Sequence, residues 1–454
     1  MGSLDSSFAS SSTTSSLDVA IVGGGIIGVM TALGLLRRGL RVAIYERASD
    51  WHEIGAGFGF TGVARECMQR IDPAILDVLT RISEKASSSA HTRYWDGFTP
   101  QTKEDAALEA ASLLWQMPEK DLSFWGCLRS HFLLGMTALL PPGVAHFGKQ
   151  FVGYEDDSDG DKKSSRVVLH FADGSTAEAD VLVGCDGIHS SVREQLLGAN
   201  HPASHPSYTH TVAYRTMVPI DAAIAALGED KARSGCMHCG PDVNMMSYPV
   251  MNGTLFNIAI FAHEDADFPD PVRMTAPGSR DEIERALQHW GPHMRDIATL
   301  FPDKLVKWGI FDMAINPAPT YARGRVCVAG DAAHASSPFQ GVGACIGVED
   351  ALVLCEVLHT AATTAAATTD TAFSQTRIER SQWSVQSSRE MGQMYQWRYA
   401  PTGRDVHKCK AKLTAASRRI WDFDVDQMVA EAKTRAGGVA TTSTTGERKY
   451  AAAK

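Results

Sequence analysis

Near the start of this 454-residue chain a short apolar strand runs through a three-glycine turn into a helix and a second strand, and no other feature restricts the fold so strongly. Leu17–Val22 (LDVAIV) has the β-branched apolar character of a buried parallel strand. Gly23-Gly24-Gly25 turns the chain, Ile26–Arg38 reads as a helix ended by Gly39, and Arg41–Glu46 is the next strand. In Gly23-x-Gly25-x-x-Gly28 the first glycine permits the tight turn, the second lets a pyrophosphate approach the backbone, and the third lets helix pack on sheet. The helix N-terminus then offers oriented N–H groups to phosphate. Glu46 ends the second strand, where its carboxylate can accept hydrogen bonds from ribose hydroxyls. The unit predicts dinucleotide binding, and the acid favours FAD or NAD over a 2′-phosphorylated nucleotide.

Val19–Leu36 carries no charge and approaches membrane-spanning length, but five glycines break it into strand and helix, so no membrane span is expected. A balance of 43 Lys and Arg against 52 Asp and Glu, with no long cationic run, excludes a duplex-binding surface and so a nucleic-acid partner. Nine scattered cysteines suit reduced thiols and a cytoplasmic location. Cys236-Met237-His238-Cys239 supplies too few ligands for a metal site, and His238 reads as structural, with a pocket-wall role as the alternative. Residues 1–16 hold eight serines and no basic residue, which excludes a targeting peptide and reads as a flexible tail.

Two later segments return to the same kind of site. Cys185-Asp186-Gly187-x-x-Ser190-x-x-Arg193 follows the strand Val181–Gly184. Gly330-Asp331-Ala332-Ala333-His334 follows the strand Arg325–Ala329, with Pro338 and Gly341-Val342-Gly343-Ala344 beyond it and a helix from about Gly343 to His359. These three motifs, in this order, resemble the single-component (class A) FAD-dependent aromatic monooxygenases of the salicylate hydroxylase and para-hydroxybenzoate hydroxylase type, over residues 17–360.

The resemblance implies an α/β chain: a Rossmann-like FAD-binding domain with an inserted β-sheet substrate domain and C-terminal helices. On this division residues 17–85, 121–200 and 301–360 form the FAD-binding domain, 86–120 and 201–300 the substrate domain, 372–435 the C-terminal helices, and 437–454 a flexible tail. Residues 360–371 (TAATTAAATTDT) read as a surface loop. Asp331 would hold a flavin ribityl hydroxyl, or else cap its own helix. Gly341, Gly343 and Ala344 would bring a helix N-terminus to the flavin. Arg129 matches a family arginine near the ribityl and phosphate region, with a surface ion pair as the alternative. Asp186 belongs to a segment associated with flavin and NAD(P)H, while Arg193 is either a nucleotide contact or an internal salt bridge. The family usually has Gly-Gln-Gly where this chain has Gly341-Val342-Gly343, so a side-chain amide is missing there. No second GxGxxG is present, which suits NADPH or NADH docking transiently as co-substrate.

Tyr214-Arg215 and Ser247-Tyr248-Pro249-Val250 fall on candidate neighbouring strands. There the chain resembles fungal polyketide hydroxylases that dearomatise resorcinol-type rings, which implies that Arg215 and Tyr248 hold a phenolate. The implied reaction uses FAD, NAD(P)H and O2 to attack an electron-rich phenol through a flavin hydroperoxide. Two alternatives stand beside it: a salicylate-type decarboxylating hydroxylase, and a non-catalytic binding protein built on a flavoprotein fold, like the GDP-dissociation inhibitors. Trp290 and Trp308 read as core aromatics.

Overall fold

The computed structural model describes residues 17–51, 57–85, 92–99, 112–117, 124–156, 166–364 and 369–437. The tail expected at 1–16 lies outside the described residues, as do all but Gly437 of the tail expected at 437–454 and most of 86–120.

Two large sheets organise the chain. The first has the strand order Ala322–Arg323, Val326–Val328, Val181–Gly184, Asp18–Val22, Arg41–Tyr45, Ala145–His146, with every pairing parallel except the first. Its central strands are buried on both faces, which is why their residues read as continuous apolar runs. On one side the helix Ile26–Arg37 packs against the sheet and against the long helix Gly343–Thr364. This arrangement has the α/β architecture that the resemblance implies for the cofactor domain.

The second sheet has eight strands: Thr275–Ser279, Lys304–Asp312, Ser207–Pro219, Leu255–His263, Val243–Val250, Gly235–Cys239, Thr92–Asp96 and Leu113–Met117. One of its faces is sealed by the helices Ile220–Leu227, Arg280–Leu287 and Pro292–Ala298 over a core that includes Phe256, Ile258, Ile260 and Trp290. The opposite face looks toward the cofactor motifs. Among the described residues no helix is long and apolar enough to cross a membrane.

Three expectations need correction. Lys304–Asp312 is not part of the cofactor domain; it pairs with Ser207–Pro219 and Thr275–Ser279 inside the eight-stranded sheet, so the boundary expected at 301 moves beyond Asp312. The 360–371 segment is not simply a loop: one helix runs to Thr364 and the next starts at Thr369, because alanine offsets the weak helix propensity of the threonines. In sequence, Arg166–Phe171 and Thr176–Gly184 read as the two strands of one β-hairpin; the hairpin is shorter, with Val167–Phe171 paired to Thr176–Ala179 before the chain enters the parallel sheet at Val181.

Candidate active site at the sheet edge

The glycine turn does what its spacing demands. Gly23 takes φ +105°, and its N–H donates to the Tyr45 carbonyl at 2.9 Å. A Cβ on Gly28 would stand 2.0 Å from the Gly23 oxygen, so only glycine permits the helix to start there. Gly25 is different: a Cβ there meets nothing within 4 Å, and no side chain caps the helix it begins. An open, uncapped helix N-terminus is what a pyrophosphate needs. Glu46 accepts the Gly24 N–H at 2.7 Å and the Ala48 N–H at 2.8 Å, which holds its carboxylate at the turn with a lone pair still available on each oxygen. Arg129 is exposed at the start of the helix Arg129–Thr137, which packs beside Ile26–Arg37.

The two later motifs are pinned to this turn. Asp186 accepts the Val192 N–H at 3.1 Å through one carboxylate oxygen, while the other is buried without a partner. Burial raises its pKa above the ordinary carboxylate value. Arg193 is fully buried and donates to the backbone carbonyls of Ile188, Ser204 and Ala332 at 2.5 to 3.2 Å. Burial pushes it down to about 10. Of the two roles open to Arg193, the structure supports internal fastening: it ties the Asp186-Gly187 segment to the Asp331-Ala332 turn. Asp331 itself is exposed, one residue past Gly330, whose φ is +61°. Gly341 has φ +67° and an open flank, and Gly343 and Ala344 start the long helix.

Sequence reasoning missed what lies beneath. Asp350 accepts the Gly330 N–H at 2.9 Å, pairs with His334 at 2.5 Å and takes Arg377 at 2.7 Å, while Glu349 binds Arg377 and Arg380. Burial acts to raise Asp350, but His334 and Arg377 outweigh it and hold the carboxyl at about 2. The available signal was the acidic pair Glu349-Asp350 inside an otherwise apolar helical run. His334 is thus a buried partner of Asp350. Gln340, next to Gly341, was also missed; its side-chain oxygen is buried and unpartnered among the described residues, so an amide does stand in this loop, two residues before the place expected.

Arg215 and Tyr248 lie on the strands flanking Leu255–His263, opposite Ala259 and Asn257 respectively, and therefore on one face of the sheet. That face also carries Ala213, Met246, Phe261 and Ile310, and Phe339 from the Pro338–Gln340 turn packs on it, with its ring 5.1 Å from that of Phe261. The pair thus faces the Gly341–Ala344 segment. Surrounding protein lowers Arg215 from its usual value while Tyr248 partly restores it; burial raises Tyr248 and Arg215 pulls it back. Arg215 nevertheless remains open to solvent. Neither side chain has a hydrogen-bond or ion-pair partner among the described residues.

His238 sits on the opposite face, buried, with its pKa pushed well below the usual histidine value by burial and by Lys231. No cluster of three or more metal-ligating side chains occurs among the described residues. Trp290 is core, but Trp308 is 44% exposed, contrary to its expected place in the core, because it stands on the strand next to the sheet edge, away from the part of that face buried around Phe261 and Phe339. Two hollows of about 140 and 290 Å³ lie away from Arg215 and Tyr248.

The open helix N-terminus, the tethered Glu46 and the exposed Asp331 fit a flavin dinucleotide. Comparison with known proteins agrees. A family model described as an FAD binding domain matches residues 16–388. An FAD-dependent monooxygenase from Aspergillus terreus is 54% identical over 424 residues, covering 92% of this chain and 96% of its own length. A salicylate hydroxylase from Sarocladium schorii is 39% identical over 444 residues, covering 92% and 90%. A solved salicylate hydroxylase–substrate complex superposes with a TM-score of 0.80 at 30% identity, covering 92% of this chain and 98% of that one.

Proposed function

The chain belongs to the FAD-binding-domain family of monooxygenases, and we propose that as an FAD-dependent monooxygenase it hydroxylates an electron-rich, resorcinol-type phenol held as its phenolate by Arg215 and Tyr248. The observation that carries this reading is an arginine with no acidic partner among the described residues, beside a tyrosine hydroxyl likewise unpartnered there, on the sheet face turned toward the Gly341–Ala344 segment.

FAD, once reduced by NAD(P)H, supplies the activation of O2 to an electrophilic oxygen. The protein's own residues do the rest. Gly25 and the helix behind it receive the pyrophosphate, Glu46 the adenosine ribose, Asp331 a ribityl hydroxyl, and the N-terminus at Gly343-Ala344 the polar edge of the ring, with Arg129 and Asp186 alongside. Arg215 favours the ionised phenol by electrostatics, which raises electron density at the ring carbon to be attacked. Tyr248 donates its O–H to the same oxygen and fixes the ring's orientation. Apolar neighbours such as Ala259 and Phe261 keep water from the reacting carbon. Where that carbon bears an alkyl group there is no proton to lose, and the product stays a hydroxy-dienone, as in fungal secondary metabolism.

A decarboxylating hydroxylation of a salicylate is the second reading, favoured by the similarity to salicylate hydroxylases; Arg215 would then meet a carboxylate. Relatives named as monooxygenases argue against the non-catalytic alternative. The test is a panel of resorcylic aldehydes, ketones and salicylates assayed for NAD(P)H oxidation and product mass. Gain of one oxygen with carbon retained supports the proposal; loss of CO2 assigns the second reading; no stimulated oxidation by any phenol refutes both.

A further inference from the structure

The helix Thr369–Tyr395 carries a single glycine, Gly392, buried near its C-terminal end. A glycine there weakens the helix relative to alanine, so its place calls for a reason. Outside its own helix backbone, the three atoms nearest to a Cβ at Gly392 all belong to the Phe339 ring, at 2.3, 2.4 and 2.8 Å. Ser388 lies one turn earlier on the same helix face and donates to the Ser337 carbonyl at 2.6 Å, at the base of the Pro338–Gln340 turn that carries Phe339. One turn later Gln396, whose N–H closes on the Gly392 carbonyl at 3.1 Å, donates to Asn244 at 3.2 Å and to the Phe261 carbonyl at 3.4 Å. The Phe261 ring lies 5.1 Å from that of Phe339. Ser388, Gly392 and Gln396 thus hold in succession the backbone of the turn, its ring, and the strand on which the ring packs.

We infer that Gly392 is a positioning residue for oxygen transfer, acting through Phe339 to set the gap between the Gly341–Ala344 segment and the Arg215 face. The inference rests on the reading above that puts an aromatic substrate in that gap, and not on which aromatic it is. Non-bonded carbons settle about 3.5–4.0 Å apart, so a methyl at position 392 would drive the ring back by roughly 1.2 Å or more. Phe261 fences the ring, and Gln396 holds the Phe261 strand, so the shift passes to the Pro338–Gln340 turn. The Gly341 N–H is bonded to the Pro338 carbonyl at 3.0 Å, and the glycine segment moves with the turn. A misplacement of about 1 Å can cost on the order of 100-fold in a step that demands close alignment.

The test compares FAD-loaded unaltered enzyme, Gly392→Ala, Phe339→Ala and the double variant. The readouts are the visible band of oxidised flavin and the hydroxylation of 2,4-dihydroxy-6-methylbenzaldehyde and of salicylate, one probe for each reading of the substrate. Gly392→Ala should lower kcat on the order of 100-fold, keep FAD affinity within about twofold, and shift the flavin band, because the helix N-terminus at Gly343 moves with the turn. With Phe339→Ala, which lacks the three ring atoms, the same methyl should cost less than about threefold and leave the band in place. Ser388→Ala loosens the turn without adding bulk, which keeps the test open if the methyl prevents folding; it should lower kcat about fivefold and shift the band as well. Unchanged kcat and band in Gly392→Ala, whatever its melting temperature, make the glycine a packing residue and overturn the proposal. So does an equal loss in the Phe339→Ala background, an unaffected Ser388→Ala, or FAD affinity that falls in step with kcat. If the unaltered enzyme hydroxylates neither probe, the substrate reading fails, and the flavin band alone decides: an unshifted band in Gly392→Ala overturns the proposal.

Discussion

If Arg215 anchors a phenolate, replacing it with methionine should move the ionisation of the bound phenol. The phenol is an acid, so a nearby cation stabilises its charged form and lowers its pKa, while apolar walls raise it. A guanidinium about 4 Å from the phenolate contributes about 4 kcal/mol at an effective dielectric near 20 and about 2 kcal/mol near 40. Because Arg215 keeps solvent contact, the lower figure applies, equivalent to about 1.5 pKa units. Ala259 and Met217 oppose it by desolvating the ring, which leaves a net depression of about one unit in the unaltered protein. In Arg215→Met only the opposing term remains, and the bound pKa should rise above that of the free phenol. Tyr248 does not take over the charge, since burial raises its own pKa and keeps it protonated as a donor. The measurement is a pH titration of the phenolate absorbance bound to oxidised holoenzyme, without NAD(P)H. Coincident midpoints for the two proteins would refute the anchor, even if the variant turned over slowly for another reason.

Gly25→Ala and Gly28→Ala should separate cofactor space from folding. The first adds a methyl into open space, so the apoprotein should melt as before while FAD affinity falls tenfold or more; the second drives a methyl into the Gly23 carbonyl and should yield little folded protein. Glu46→Ala removes the acceptor for two backbone N–H groups as well as the ribose contact, so the FAD dissociation constant should rise at least tenfold, read from released flavin fluorescence. Asp350→Asn leaves Arg377 underpaired in the interior and should cost about 3–5 kcal/mol in thermal or denaturant unfolding. Asp350 is held below its unfolded value, so its stabilisation is present above about pH 4 and is lost as pH falls toward about 2; the gap between wild type and variant should narrow over that interval, and a gap independent of pH would discard the ion pair as its source.

The parts of this molecule that were legible in sequence are those where local chemistry admits one solution. A strand, a glycine turn, a helix and a terminal acid fix a β-α-β unit within a few dozen residues, and Gly28 shows why: its Cβ has no room. Arg215 and Tyr248 were singled out only through family likeness, and their role stays a proposal, because nothing local marks an arginine on a strand as a substrate anchor. Register alone brings them to one face across Leu255–His263. The strand Lys304–Asp312 was assigned to the wrong lobe for a related reason. Its partners lie about 30 and 95 residues upstream in sequence, and pairing at that distance leaves no trace in composition. Trp308 misled because aromatic residues are usually buried, and here one stands next to the sheet edge, away from the buried part of its face.

The buried ions explain how motifs so far apart in the chain act as one site. Arg193 ties the Asp186 segment to the Asp331 turn, and Asp350 ties that turn to the helix begun by Gly343. The remaining link is the helix Thr369–Tyr395, 27 residues and so about 40 Å long. Near one end Arg377 and Arg380 grip Glu349 and Asp350 in the flavin helix. Near the other, Arg389 holds Asp312 at the end of a sheet strand with bonds of 2.6 and 3.0 Å, and Met391, Met394 and Tyr395 pack on that sheet. Between them Ser388 donates to the Ser337 carbonyl at 2.6 Å, at the base of the turn that carries Phe339 onto the Arg215 face. Replacing such ion pairs with apolar residues is often neutral for stability, so stability alone does not account for them. What directional bonds provide and a greasy contact does not is a fixed register along the helix. That register sets how far the Gly341 turn stands from Arg215, and so the width of the gap in which the proposed phenol would lie.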